Sequence, residues 1–320
     1  MRIGYFLSCE EYTPHELVDQ AWAAAEAGFD CLWISDHYHP WNDEQGQSAF
    51  VWSVIGAISQ VCELPVTTAV TCPTTRLHPA VIAQAAASSA VLLNGRLTLG
   101  VGTGEALNEH ITGQPWPHED VRLGMLEEAV DVIRRLWSGE VVSHDGRYYT
   151  VDTARIYSMP EDPTPIYISG FGPKAIDLAG RIGDGFISTK PDADALRQFR
   201  SMKGTDAPAE AGVKVAYAPT EDEGIDHAHR LWANAGVPGE LGQVLPSPQH
   251  FEQASQLVTR DMTAKSVAAG PDPEAHLAAI RPYLEAGYDT VAVANMGPHY
   301  RDMIRFYGSE ILPELKSDDD

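Results

Sequence analysis

Short apolar strand patterns alternate with amphipathic helix patterns almost from end to end of this chain, and that alternation limits what it can fold into. Residues 2–7 and 31–34 each read as a strand, an apolar run rich in β-forming side chains. Further strands are expected at 65–70, 96–101, 166–169, 185–188, 213–218 and 290–294. Thr13-Pro14-His15-Glu16 is a capping box with proline at the first helical position, and Gly28 supplies the stop for that helix. Other helices are expected at 50–61, from Pro79, at 120–137, 173–182 and 193–202, from Ala228, near 251–262, at 273–287 and at 300–311. Two stretches break the rhythm: a hairpin centred on Asp145-Gly146 near 141–158, and a Pro/Gly-rich helical excursion near 234–265. Eight evenly spaced strands without a long linker predict an α/β fold, a single (β/α)8 TIM barrel over 1–320 with these two insertions. A doubly wound sheet is the competing arrangement and fits the count less well.

With 44% apolar residues the chain can bury a large core. It has no run of about 18 apolar residues, so no membrane span is expected. A net charge of −23 argues against nucleic acid and anionic membranes as partners. The N-terminus enters a strand directly without a signal peptide's features, and the four cysteines are scattered, so a reducing cytoplasm is expected. The histidines and cysteines lack zinc-ligand spacing, and no metal is expected. The end of the chain, from Ser317 to Asp320, reads as a solvated tail.

If the strands form a barrel, their C-terminal ends share one mouth, where such folds keep their chemistry. Those ends carry Ser8-Cys9-Glu10, Asp36-His37, Thr71-Cys72, Gly102-Thr103-Gly104-Glu105, Gly170-Phe171-Gly172 and Thr189-Lys190. Asp36-His37 beside Trp41 sets a proton-transfer group against an apolar wall; the alternative is a turn in which Asp36 caps a helix and His37 is solvated. The glycines at 100–104 fit neither the dinucleotide nor the Walker pattern, but let backbone approach a flat ring. Gly170-Phe171-Gly172 before a helix suits an anion, with a tight strand-to-helix turn as the alternative.

Ser35-Asp36-His37 with Trp41, Thr71-Cys72-Pro73, GVGTGEALNE over 100–109, residues 167–173 and GDGF at 183–186 together resemble the luciferase-like oxidoreductases. The likeness runs in order over nearly the whole chain and is strongest to the glucose-6-phosphate dehydrogenase group that uses the deazaflavin coenzyme F420. The resemblance implies a (β/α)8 barrel, a homodimer, and hydride transfer from a hydroxyl-bearing carbon to the deazaflavin C5. By position, His37 resembles the active-site base, Trp41 the aromatic that stabilises the reacting centre and Glu105 the acid beside the ring. Asp36, Val70, Cys72, Asn108, Gly170, Phe171 and Gly172 fall on cofactor-contacting positions, Val70 where family members carry a non-proline cis peptide. Glu10, Glu109, Thr189, Lys190 and Lys265 are expected at the substrate.

The sugar-phosphate members grip the phosphate with a Lys-His pair and an arginine. Residues 237–250 offer no lysine or arginine here, Ser266 stands near the arginine position, and Lys190 is a shifted match. Each charged hydrogen bond lost costs about 1.5–3 kcal/mol. A neutral sugar or simple alcohol is therefore expected, bordered by Gln243, Ser247, Gln249 and Trp232; Lys190, Lys265, His39 and His250 are the groups able to rebuild an anion site. Glucose-6-phosphate oxidation with F420, an FMN-dependent monooxygenase on the same barrel, and a non-catalytic ligand-binding barrel are the competing functions. Tight FMN would favour the monooxygenase, and quenching of tryptophan fluorescence by a deazaflavin but not FMN would favour the dehydrogenase.

Overall fold

The computed structural model describes residues 1–317; of the tail expected from Ser317 to Asp320, Ser317 ends the last helix and Asp318 to Asp320 lie outside the described residues. Strands β1 (Arg2–Leu7), β2 (Cys31–Ile34), β3 (Val66–Thr68) and β4 (Leu97–Val101) run parallel. An antiparallel hairpin follows, β5 (Val142–Asp145) with β6 (Thr150–Ala154). Then come β7 (Ile166–Ser169), β8 (Gly185–Ser188), β9 (Ala209–Ala216), the short β10 (Ala268–Ala269) and β11 (Thr290–Asn295). The sheet runs β11-β1-β2-β3-β4-β7-β8-β9, and β9 pairs back onto β11. Eight parallel strands among the described residues thus close a barrel, and β10 pairs only with the end of β9.

The helices are α1 (Pro14–Ala27), α2 (Val51–Ile58), α3 (Pro79–Leu92), α4 (Ala106–Glu109), α5 (Glu119–Leu136), α6 (Pro173–Ile182) and α7 (Ala193–Lys203). They continue with α8 (Glu221–Trp232), α9 (Leu241–Val244), α10 (Pro248–Ser255), α11 (Arg260–Ala264), α12 (Pro273–Ala286), α13 (Tyr300–Phe306) and α14 (Leu312–Ser317). The capping box forms: the Glu16 amide donates to Thr13 Oγ1 and the Thr13 amide to Glu16 Oε2. Gly28 ends α1 at φ 91°. Helices α9, α10 and α11 build the excursion between β9 and β11. No helix among the described residues is long and apolar enough to cross a membrane.

Alternation along each strand builds two apolar layers. Leu7, Leu32, Ile34, Ile166, Ile168 and Phe186 face outward into the large core beneath the helices. Their neighbours Phe6, Trp33, Tyr167, Ile187, Ala292 and Ala294 fill the barrel interior, where Ala69 and Val70 pack against them.

The helix expected near 251–262 is two, α10 and α11, and three further elements differ from the sequence reading. β9 begins at Ala209 rather than at 213. Its first half, Ala209-Glu210-Ala211-Gly212, has little strand propensity because it makes room for Trp33. The indole Nε1 donates to Glu210 Oε2 at 2.6 Å, and a Cβ at Gly212 would sit 2.6 Å from the ring. β3 is shorter than 65–70: Thr68 Oγ1 donates to the Gly100 carbonyl at 2.8 Å and accepts its amide at 2.9 Å in place of ladder bonds. The next peptide, Ala69–Val70, is cis. Trp232 ends a helix that Ala228 was expected to start; α8 begins at Glu221, where Thr220 caps it and the acidic first turn suits the positive end of the dipole.

Candidate active site

The register of β1 against β2, from Gly4 opposite Cys31 to Leu7 opposite Ile34, brings the two following loops side by side. The Cys9 amide donates to Ser35 Oγ at 2.9 Å, and Ser35 Oγ donates to Glu10 Oε2 at 2.6 Å. Glu10 is thereby aimed at His37, whose Nε2 lies 3.4 Å from Glu10 Oε1. Burial opposes charge on Glu10, but His37, Lys214 and the Ser35 hydroxyl outweigh it and hold the carboxyl below its ordinary value.

Asp36 points the other way. It is fully enclosed, accepting from Thr71 Oγ1 at 2.8 Å and from Arg76 Nη2 at 2.8 Å. Arg76 also approaches Glu109, with Nε 3.7 Å from Oε1. The other oxygen of Glu109 accepts the amides of Thr75 at 3.0 Å and Arg76 at 2.7 Å, and the Thr74 hydroxyl at 3.3 Å. Glu109 was expected at the substrate or on a polar rim. It is instead buried, and it holds the 74–76 loop because that turn leaves its amides without strand partners. Burial pushes its carboxyl upward against the pull of Arg76 and those amides.

Asn108, on the short helix α4, ties the β4 and β2 loops together. Its Oδ1 accepts the amides of Tyr38 at 2.9 Å and His39 at 3.1 Å, which fixes the amide's orientation. Nδ2 then faces His37 Nδ1 at 3.1 Å and Glu105 Oε2 at 3.4 Å. His37 Nδ1 also lies 3.3 Å from the His39 carbonyl, an acceptor. The imidazole therefore has two tautomers within reach. One carries Nε2–H toward Glu10 and lets Nδ1 accept from Asn108 Nδ2; the other carries Nδ1–H toward His39, gives up that donation from Asn108, and leaves the Nε2 lone pair open. Trp41 packs against this ring at 5.0 Å between centroids and meets Phe251 of α10 edge-on at 4.9 Å, so the insertion walls the mouth.

Lys214 rises from β9 into the same cluster, its Nζ 3.2 Å from the Trp232 ring centroid. Burial drives its pKa down to about 8, against the pull of Glu10 and Glu11. Glu11 accepts Trp232 Nε1 at 2.7 Å and the Gly297 amide at 2.6 Å, yet burial raises its carboxyl to about 7.

On another side of the mouth, Gly170-Phe171-Gly172 leads into α6, whose first turn has no side-chain cap. A Cβ at Gly172 would meet nothing within 4 Å. Thr189 and Lys190 are exposed there, with the Lys190 ammonium 5.8 Å from the Phe171 centroid. Cys72 is buried, its Sγ 3.9 Å from the Val70 carbonyl. The structure thus gathers Glu10, His37, Trp41, Glu105 and Asn108 in one contact network, while Asp36 belongs to a separate one with Thr71, Arg76 and Glu109. Lys190 stands with Phe171 outside both, and Lys265 is exposed at the end of α11.

The neutral groups expected in the insertion are engaged. Ser247 caps α10 and contacts His250 Nδ1 at 2.6 Å, while Gln249 is exposed. Gln243 accepts from Arg122 Nη2 at 3.0 Å, so α5 brings a guanidinium to a segment whose own sequence has none. His39 Nδ1 is taken up by the Leu107 carbonyl at 2.9 Å. Sequence reasoning missed Arg76, Lys214 and Glu11. A lysine inside the apolar run Gly212-Val213-Lys214-Val215-Ala216 was the one legible signal, since an unpartnered lysine is seldom buried.

Replacing Arg76 by methionine leaves Asp36 and Glu109 without their shared cation, and breaking a buried pair costs about 3–5 kcal/mol. Burial already holds the Glu109 carboxyl above its unfolded value, and without Arg76 less opposes that rise, so its ionisation on folding costs more as pH rises. Arg76→Met should accordingly lose more stability at pH 8 than at pH 5 in urea denaturation. Equal losses at both pH values would show that the charge is not what matters.

The luciferase-like monooxygenase family profile matches residues 1–290. The F420-dependent glucose-6-phosphate dehydrogenase of Microbacterium testaceum is 36% identical over 329 residues, covering 99% of this chain and 98% of that protein. The enzyme of the same name from Nakamurella multipartita is 36% identical over 330 residues, covering 99% and 97%. A solved F420-dependent secondary alcohol dehydrogenase, in complex with an F420-acetone adduct, superposes with a TM-score of 0.88 at 33% identity, covering 97% of this chain and 98% of that one. The F420-dependent tetrahydromethanopterin reductase of Methanopyrus kandleri shares the fold, with a TM-score of 0.78 at 21% identity and coverage of 98% and 99%. This chain belongs to the luciferase-like family.

Proposed function

We propose that this chain is an F420-dependent dehydrogenase that oxidises a neutral alcohol or sugar. The observation that carries the reading is the Glu10–His37–Lys214 cluster standing beside an apolar floor, which pairs a proton acceptor with a seat for a flat ring. The residues fit a deazaflavin with a phosphate-bearing tail. Val70 tops the inner apolar layer, and a Cβ at Gly102 would lie 2.9 Å from its Cγ2, so glycine there lets backbone close over it. The uncapped turn at Gly170-Phe171-Gly172 and the open space at Gly172 suit the phosphate. Asp36, Cys72 and Asn108 lie at the loop edges that would border the ring. Coenzyme F420, bound there, would accept a hydride at its C5.

The chain's own groups handle the proton. With Nδ1–H on the His39 carbonyl, His37 takes the hydroxyl proton at Nε2. Glu10, held charged 3.4 Å away, stabilises the resulting imidazolium. Trp41 keeps water from that ring, and Glu105, steered by Asn108, is the acid beside the cofactor.

The balance of charge favours a neutral substrate. Lys214 faces two carboxylates, Glu10 and Glu11. Arg230 pairs with Glu44, and Arg260 pairs with Asp222 and Asp226. A phosphate entering beside Glu10 would meet net negative charge. A similar secondary alcohol dehydrogenase and similar sugar-phosphate dehydrogenases stand at nearly equal identity, and the electrostatics support the neutral substrate. One observation favours a sugar phosphate: Arg122 is buried with its Nε unpartnered beside Gln243. The four buried free thiols and the apolar Phe50, Val81, Val91 and Leu92 exposed around α2 and α3 support a cytoplasmic homodimer; a monomer in sedimentation would remove the dimer.

His37→Ala should slow turnover about 10²–10⁴-fold while F420 affinity stays within about tenfold; turnover near the parent's at saturating substrate would reject His37 as the base. A panel of glucose, glucose 6-phosphate and small secondary alcohols, followed by loss of oxidised F420 absorbance, tests the substrate class. The neutral compounds should give the higher kcat/KM. A value for glucose 6-phosphate about tenfold above theirs would reverse the assignment.

A further inference from the structure

Away from Glu10 and His37, three potential ligands converge from two segments far apart in sequence. Glu223 and His227 stand one helical turn apart on the same face of α8. His299 begins α13, after the β11 loop. His299 Nε2 lies 3.0 Å from Glu223 Oε1, and the two imidazoles lie tilted to one another, 5.5 Å between centroids with planes 39° apart. One ligand atom from each of the three residues falls within 4.8 Å of the others. Ligands on a tetrahedral zinc ion are separated by about 3.3 Å, so small side-chain rotations complete the triangle. All three residues are half-buried, which leaves a face for a water ligand.

Two further observations fit an ion rather than an ordinary polar contact. His227 Nδ1 is buried and has no hydrogen-bond partner, an uncompensated cost. On the far side of His299, Nδ1 lies 3.9 Å from Asp302 Oδ2, beyond hydrogen-bond length but near enough for the carboxylate to add negative charge that favours a cation.

We propose that Glu223, His227 and His299 form a binding site for one divalent ion of the zinc class, with water completing the coordination. The ion would clamp α8 to the 297–299 loop. A Cβ on Gly297 would lie 2.9 Å from His227 Cβ, so the imidazole rests directly on that backbone, and the Gly297 amide holds Glu11 at 2.6 Å. A loaded site thus braces the loop that positions one wall of the mouth, without touching the reacting groups.

The full chain, stripped with a chelator, should take up one zinc ion with a midpoint in the micromolar range or below in competition with a chromophoric chelator. His299→Gln and Glu223→Gln should each weaken uptake at least about tenfold, the lower cost of losing even an outer partner. His118→Gln, at an exposed histidine elsewhere, should leave it unchanged. Cobalt should give visible ligand-field bands without thiolate charge transfer, which distinguishes this site from the cysteines even if a variant folds poorly. Zinc should also slow amide exchange at 296–300. No uptake at micromolar zinc, uptake unaffected by both ligand variants, or a thiolate spectrum would overturn the assignment.

Discussion

The mouth of this barrel depends on one shared guanidinium. Asp36 and Glu109 both lie out of reach of water, and Arg76 is the cation brought against each of them. Two carboxylates in such a place would each be strongly disfavoured alone, because desolvation exceeds what hydrogen bonds return. Arg76 relieves both at once and pins the loop after β3 to those after β2 and β4. The Ala69–Val70 backbone, His37 and Glu105 are therefore set by one ionic junction that itself does no chemistry.

The reacting side of the mouth is tuned by the opposite imbalance. Lys214 is one cation facing Glu10 and Glu11, and the two carboxyls respond in opposite directions. Glu10, with His37, Lys214 and Ser35 around it, is held charged; Glu11 is raised to about 7 by burial that its two neutral donors do not offset. On the proposed reading, the Glu10 carboxylate stabilises the imidazolium that His37 forms during turnover. In the proposed function, the same negative surplus would disfavour an anionic substrate, linking the base to the substrate class.

The repeating strand–helix pattern made the barrel legible, because parallel strands buried on both faces read as apolar runs. Where a strand served the barrel interior rather than its own propensity, the pattern failed: Ala209 to Gly212 look like loop because Trp33 occupies their space. The luciferase-like motifs pointed to Asp36, His37, Trp41, Glu105 and Asn108; the last four touch one another, while Asp36 turns away onto Thr71 and Arg76. Glu109 was misplaced because sequence shows that a carboxylate is near a strand end but not which way it turns. Arg76 and Lys214 escaped notice because their meaning lies in partners on other strands. Glu223, His227 and His299 were invisible as a group, since ligand spacing is read along the chain and their convergence is across it.

The central claim is direct transfer of hydrogen from a carbinol carbon, and isotopic labelling tests it most directly. A secondary alcohol bearing deuterium on the carbinol carbon would be oxidised in ordinary water, and the reduced F420 examined by NMR. One deuterium at C5, on a single face, is the predicted result. Reduced F420 carrying only solvent hydrogen at C5, or no reduction without added oxygen, would contradict the account.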